Sequence, residues 1–280
     1  MRGDTNFMFK RARSSAHAPH CNKHFPGDVN LPTLSTSLRV PWAYFFRYEA
    51  PDRLFLVSEL CEGGELYNMV IEKAEAPDGA PFSEFEAATI MQQVLTSLAL
   101  LHDTHLVVHR DIKPENLLLQ RADKGLDKVV LIDFGLSRFF EPGQRLMTRV
   151  GTVYYTAPEV WAERYDHKCD LFSCGVLLYV LLCLYTPFDG DDDNDILRKV
   201  MRGKFAFPEE EWSGISDEAK DFVKRLMSKY PRRRPSAKEA LEHEWFAKAL
   251  GLPKAEGGEA AAVEEGSTAN PLLAEAAEEM

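Results

Sequence analysis

Residues 169–184 read Cys-Asp-Leu-Phe-Ser-Cys-Gly-Val-Leu-Leu-Tyr-Val-Leu-Leu-Cys-Leu, with Asp170 the single charge. A helix that is apolar nearly all round has no face to give to water, so it must lie at the centre of a folded core. Its most apolar stretch, 176–184, is too short to cross a bilayer, which takes about 20 residues. The rest of the chain must supply partners to cover it. Ser83-Glu84-Phe85-Glu86 is a capping box, opening a helix with Met91, Val94, Leu95, Leu98 and Leu101 on one face. Ser216 caps a second helix carrying Phe222, Val223, Leu226 and Met227. Ser236-Ala237-Lys238-Glu239 is another capping box and opens a last helix through Trp245. Strand signals are few. Two β-type runs, 42–48 and 54–60, meet around Pro51-Asp52 as a hairpin, and a short apolar strand, 129–132, ends at Asp133. The expected class is α+β, mostly helical with a small strand pair ahead of the helices.

The chain has 280 residues, 45% of them apolar and 28% charged, an ordinary composition for a soluble globular protein. The net charge is -11, with acids gathered after residue 250 and no basic stripe on any recognisable element. Nucleic acid and membrane are therefore not expected partners. Cys21, Cys61, Cys169, Cys174 and Cys183 form no spaced framework and read as reduced thiols, placing the chain in the cytoplasm, with the nucleus as the alternative. The run 189–195 is rich in Asp, but its sixth position is Asn194 and its twelfth is Val200, so it fails the calcium-loop pattern. His17, His20, Cys21 and His24 are spaced more closely than the ligand pairs of a structural zinc site.

Chemistry concentrates in His109-Arg110-Asp111-Ile112-Lys113-Pro114-Glu115-Asn116. Asp133-Phe134-Gly135 follows 22 residues after Asp111, and Ala157-Pro158-Glu159 ends 26 residues after Asp133. Three motifs in this order and at these spacings resemble the eukaryotic protein kinases. Lys113 and Gly151-Thr152 match the serine/threonine branch. The stretches 59–66, 133–137 and 168–176 are similar to calcium/calmodulin-type and calcium-dependent protein kinases, and the resemblance spans about 42–247.

The resemblance implies a protein kinase-like fold, with a β remnant of the N-terminal lobe and hinge strand over 41–60 and a mainly helical C-terminal lobe over 61–247, while breakers without periodicity read 1–40 as disordered and Ala/Glu-rich composition reads 248–280 as a flexible acidic tail. It implies transfer of the ATP γ-phosphate to Ser/Thr hydroxyls with Mg2+, chemistry that rests on positioning and charge neutralisation. Asp111 would accept the substrate hydroxyl's proton, and Lys113 would offset phosphate charge. Asn116 and Asp133 would supply the oxygen ligands that magnesium prefers. Backbone groups of Glu59 and Cys61 would meet adenine, with Leu118 under the ring and Glu65 and Lys113 also toward the nucleotide. Glu65, Glu115 and Thr152 would face the substrate, the two acids selecting basic residues near the target Ser/Thr. Arg110 would bind a phosphate on Thr148. His109 and Phe134 would stack, Glu159 would pair with Arg234, and Asp170 would hold the catalytic loop's amides. A calcium sensor or calmodulin-type regulator is the implied partner besides protein substrates.

The chain departs from the family pattern in three places. A Gly-rich strand pair, a lysine-bearing strand and a glutamate-bearing helix are not found ahead of the hinge strand, so no ATP-phosphate lysine is assigned. Phe172 stands where tryptophan is usual, and Tyr230 where aspartate is usual. The alternative reading is a catalytically impaired kinase-like binding module or an incomplete gene product.

Overall fold

The computed structural model describes the backbone of residues 39–40, 43–44, 46–50 and 53–57, and residues 60–77, 79–120, 126 and 128–252 in full. The expected segment before residue 39, the histidines near Cys21, Glu59 and the tail beyond 252 lie outside the described residues.

Strand β1 (Arg39–Val40) pairs antiparallel with β2 (Ala43–Tyr44), and β3 (Phe46–Ala50) with β4 (Arg53–Val57). Ala50 stands opposite Arg53 in the expected strand pair; Pro51 and Asp52 lie outside the described residues. Their described bounds differ from the expected 42–48 and 54–60: β3 runs on to Ala50, β4 begins at Arg53, and Leu60 is not in a strand.

Helix α1 (Leu66–Glu75) precedes α2 (Glu84–Ala99). At the start of α2 the Ser83 hydroxyl accepts from the Glu86 amide at 3.2 Å and Glu86 Oε2 accepts from the Ser83 amide at 2.7 Å, which completes the capping box. Met91, Val94, Leu95, Leu98 and Leu101 are buried, as the periodicity requires. The helix runs on into a π-helical turn, Leu100–Thr104, a single wide turn inserted before the chain leaves the helix. Four short strands follow. β5 (Val107–Val108) pairs with β8 (Arg138–Phe139), and β6 (Leu117–Leu119) pairs with β7 (Val129–Leu131). Only β7 was expected, one residue longer. The others are two or three residues long, too short to show a period.

Next come α3 (Pro158–Trp161), α4 (Cys169–Cys183), α5 (Asp193–Arg202), α6 (Glu209–Trp212) and α7 (Asp217–Leu226). Every residue of α4 is buried, and the helix ends one residue before Leu184, which takes a left-handed φ of 65°. It packs against α2 and α7. Gly175 permits the close approach to α7, because a Cβ there would lie 2.5 Å from Met227 Cγ and 2.9 Å from Leu226 Cβ. The four described cysteines form no disulfide; three sit in α4, where burial pushes the Cys183 thiol up to about 12.

The expected continuous helix from Ser236 through Trp245 is instead two, α8 (Ala237–Leu241) and α9 (Glu244–Ala249). His243 makes the break by acting as a new cap, its Nδ1 accepting from the Trp245 amide at 3.2 Å while its ring stacks on Phe222 at 4.6 Å. The break lets Trp245 Nε1 donate to Glu84 Oε2 at 2.8 Å, the oxygen that also accepts from the Ser216 hydroxyl at 2.7 Å. One carboxylate thus joins the starts of α2 and α7 to α9. No helix among the described residues is long and apolar enough to cross a membrane.

Candidate active site

The loop between β5 and β6 carries the 109–116 motif and is hung from the first turn of α4. Asp170, fully buried, accepts from the His109 amide at 2.8 Å, from the Arg110 amide at 2.8 Å and from His102 Nε2 at 2.8 Å. Burial alone would raise its carboxyl, but the bonds from His102 and His109 outweigh it and hold the group below the usual carboxylate range. Asp170 thus holds the amides of His109 and Arg110. Arg110 takes a φ of 72°, a strained conformation for a side-chain-bearing residue, and Asp170 accepts from its amide and from that of the residue before it.

Burial pushes the His109 imidazole below its ordinary 6.5. Its Nε2 donates to the Ile132 carbonyl at 3.0 Å and its Nδ1 accepts from the Asp111 amide at 3.3 Å, which fixes the neutral tautomer. Burial also depresses His167 and His243. The unfolded chain takes up protons on these three rings near 6.5, while the folded chain resists until lower pH. Their contribution to stability is therefore complete above that value and lost as pH falls through the folded values, each ring adding up to about 1.4 kcal/mol per pH unit. Melting temperature measured from about pH 7.5 down to about pH 5.5 is expected to fall mainly below about 6.5; a flat profile would contradict the buried neutral rings.

Asp111 is buried and held on three sides. Lys113 Nζ lies 2.8 Å from its Oδ2, Asn116 Nδ2 donates to the same oxygen at 2.9 Å, and the Thr152 hydroxyl donates to Oδ1 at 3.1 Å. Lys113 also donates to Thr152 Oγ1 at 3.0 Å. Sequence reasoning expected Thr152 to face the substrate; its hydroxyl lies on the Asp111 carboxylate and against Lys113 Nζ. Gly151 brings it there with a φ of +105°, and a Cβ at that position would meet Thr156 Oγ1 at 2.6 Å and the Arg110 carbonyl at 3.0 Å.

Asn116 links the loop to β7, its carbonyl accepting from the Ile132 amide at 2.9 Å. Asp133 therefore follows directly on a strand tied to Asn116. It is exposed, with φ 60° and ψ 78°, and its Oδ1 accepts from the Gly135 amide at 3.0 Å. Two neutral or anionic oxygen-bearing side chains, one tethered and one open to solvent, fit a magnesium ion whose other ligands come from phosphate and water. Phe134 meets His109 edge to face, with centroids 5.1 Å apart.

Arg110 donates through Nε to the Leu136 carbonyl at 2.6 Å and through Nη1 to the Tyr165 hydroxyl at 3.0 Å, and that hydroxyl donates to the Thr148 carbonyl at 2.7 Å. Tyr165 was not foreseen; its only sequence signal is its place five residues before Asp170. Thr148 itself is exposed. Glu159 and Arg234 form a bidentate pair in the buried core, with Arg234 Nη2 to Glu159 Oε2 at 2.8 Å and Nη1 on the other oxygen.

On the side assigned to adenine, the 62–64 backbone lies along β6: Gly63 donates to the Leu119 carbonyl at 2.9 Å and Leu119 donates to that of Gly64 at 2.9 Å. This pairing sets Glu65 opposite Leu118. Cys61 and Leu118 are half-buried and Glu65 is exposed. Burial raises the Glu115 carboxyl above its usual range, with a smaller contribution from Glu65, and Glu115 Oε2 is buried without a hydrogen-bond partner.

A family model described as "Protein kinase domain" matches residues 41–246. The chain is 43% identical over 206 residues to "Calcium-dependent protein kinase 3" of Plasmodium yoelii yoelii, covering 73% of this chain and 37% of that protein. It is 41% identical over 219 residues to "Calcium-dependent protein kinase 4" of Plasmodium berghei (strain Anka), covering 78% of this chain and 40% of that one. It is 39% identical over 201 residues to a Dictyostelium discoideum protein named "Probable myosin light chain kinase", covering 71% and 50%. The chain thus spans half or less of the length of these relatives.

Proposed function

Because the chain belongs to the protein kinase domain family, we propose that it transfers the γ-phosphate of ATP to Ser/Thr hydroxyls of protein substrates, with Mg2+ as cofactor. The observation that carries this reading is the Asp111 carboxylate, held at 2.8–3.1 Å by Lys113, Asn116 and Thr152. Held so, Asp111 can align a substrate hydroxyl and take its proton. Lys113, 2.8 Å from Asp111 Oδ2, would offset charge on the transferred group. Asn116 and Asp133 would hold the metal, which when bound neutralises charge on the phosphates. Cys61, Leu118 and Glu65 border the nucleotide side.

Glu65 and Glu115 support a preference for basic residues near the target. A half-buried carboxylate with an unpartnered oxygen gains most from an incoming guanidinium. Glu115→Gln is expected to raise KM for an Arg-containing Ser peptide about tenfold while leaving that for an uncharged peptide unchanged. Arg110, tied to Thr148 through Tyr165, supports Thr148 as a regulatory phosphate acceptor. Regulation by a calcium sensor is proposed on the names of the relatives. The test is phosphate transfer from Mg-ATP to a basic Ser peptide by the purified chain and by Asp133→Ala. Turnover lost in the variant supports the reading; a folded chain with no turnover overturns it and leaves a kinase-like binding module.

A further inference from the structure

The net charge of -11 hides a cationic patch on the folded surface. From Phe222 to Lys238 the sequence holds seven Lys/Arg and no acid, in part because Tyr230 stands where the family pattern has aspartate. Arg234 is buried and Arg225 is paired with Asp221 at 2.7 Å, but Lys229, Arg232 and Arg233 are exposed. The end of α5 adds Arg202 and Lys204, also exposed. The two segments touch, since a Cβ on Gly203 would lie 3.0 Å from Lys229 Cβ. Nearby ion pairs use Arg198, Lys199 and Arg225, and among the described residues none uses these five cations. They are held on a fixed frame: Arg234 Nε donates to the Ser228 carbonyl at 2.7 Å, and Arg233 lies over the Tyr230 ring at 5.0 Å. Like charges gathered so closely repel one another, and an anionic partner removes that cost.

The patch is not purely ionic. Tyr230 is 59% exposed and Met201 37%. Along α5 runs an open cleft of about 540 Å3, lined by Leu197, Met201, Arg198 and Arg202. Leu197 and Met201 are four residues apart on one helix face, as are Arg198 and Arg202. Asp192, also in the lining, is taken up as the cap of α5, accepting from the Asp195 amide at 2.7 Å. Such a surface suits a segment that carries carboxylates beside apolar side chains.

This chain contains one. Residues 253–280 hold seven glutamates against a single lysine, Lys254, and within them Leu272-Leu273 is followed by Glu275, Glu278 and Glu279. The segment also has the reach. Lys248 Nζ meets Glu218 Oε2 at 2.5 Å, which sets the end of α9 beside the first turn of α7, while the patch begins just past Leu226 at the other end of α7. At 1.5 Å per residue, the two lie roughly 20 Å apart. A flexible linker over 253–271 spans about 25 Å. A linker matched to its span gives the attached segment its highest effective concentration, on the order of mM.

From this match of charge, apolar contact and length we propose that residues 272–279 dock on the chain's own cationic patch, with Leu272 and Leu273 in the α5 cleft and Glu275, Glu278 and Glu279 on Arg202, Lys229, Arg232 and Arg233. The test uses the full chain labelled with 15N, in four forms: the parent, Glu275→Gln with Glu278→Gln and Glu279→Gln, Arg232→Glu with Arg233→Glu, and a charge swap that joins Arg232→Glu and Arg233→Glu to Glu278→Arg and Glu279→Arg. All the patch sites are exposed, so the helical signal should not change. In the parent the heteronuclear NOE of 272–279 is expected to stand above that of 255–263. Either one-sided variant should abolish the difference and shift the Arg202 and Lys229 amides, raising NaCl from about 50 to about 500 mM should do the same, and the charge swap should restore both signals. Docking is overturned if the NOE of 272–279 is the same in the parent and the variants, or if the charge swap restores neither signal. It is also overturned if the parent's signals fade on dilution from about 400 to about 20 µM, which would place the segment on a second copy of the chain. Patch amides that ignore the tail variants but move with a short DNA duplex overturn it in favour of a nucleic-acid face. No readout requires phosphate transfer, so a failure here and an inactive chain are distinguishable.

Discussion

Asp111→Asn is expected to fold as the parent does and to lose about 10²–10⁴-fold in kcat for a Ser peptide, with KM little changed. The fold should survive because the amide is isosteric and its pocket can satisfy it. Its oxygen can turn toward Lys113 and Asn116 Nδ2, which lie 2.8 and 2.9 Å from Asp111 Oδ2, and its NH2 toward Thr152 Oγ1. What is lost is the anionic oxygen that takes the substrate's proton, an interaction made in the transition state rather than in the bound ground state. Steady-state rates with a basic Ser peptide, beside a thermal melt of the same preparation, check both halves. A variant that melts with the parent and turns over at the parent's rate would remove Asp111 from the chemistry.

That carboxylate was legible before any coordinates because its motif is contiguous. Eight residues, 109–116, form one loop, so their chemistry lies within a single stretch of sequence. The central helix was legible for a different reason: a run with no polar face has only one place to go, and all of α4 is buried. Capping boxes at Ser83 and Ser236 were legible because they are local hydrogen bonds three residues apart.

What escaped was decided at long range. Glu84 looks like an ordinary first-turn acid, yet it joins Ser216 and Trp245, 132 and 161 residues away. His243 is not among the strongly preferred capping residues, so the split between α8 and α9 carried no local signal. Tyr165 gains its role only when the chain brings it beside Arg110, 55 residues earlier. The π-helical turn that sets His102 against Asp170 is one residue of extra winding, invisible to a 3.6-residue period.

Arg234→Ala is expected to cost about 3–5 kcal/mol, because it leaves Glu159 as an uncompensated buried carboxylate. Arg234 is 1% exposed and Glu159 9%, so water cannot take over the lost partner. The guanidinium does more than pair: it donates to the Ser228 carbonyl at 2.7 Å and the Lys168 carbonyl at 3.0 Å, and lies over the Phe172 ring at 5.0 Å. It thus ties the stretch after α7 to the start of α4, the helix from which Asp170 holds the 109–116 loop. A domain of this size should lose about 10 °C in Tm, and activity should fall with the folded fraction. Arg234→Lys should recover only part, since an ammonium cannot span both Glu159 oxygens or cover Phe172. Replacing both partners, as Glu159→Met with Arg234→Met, should be milder than Arg234→Ala, because it removes the buried charge and leaves only two carbonyls short of a donor. Denaturant melts of the four chains measure this order. A double variant as unstable as Arg234→Ala would show that the carbonyl ties, not the ion pair, are what the arginine is needed for.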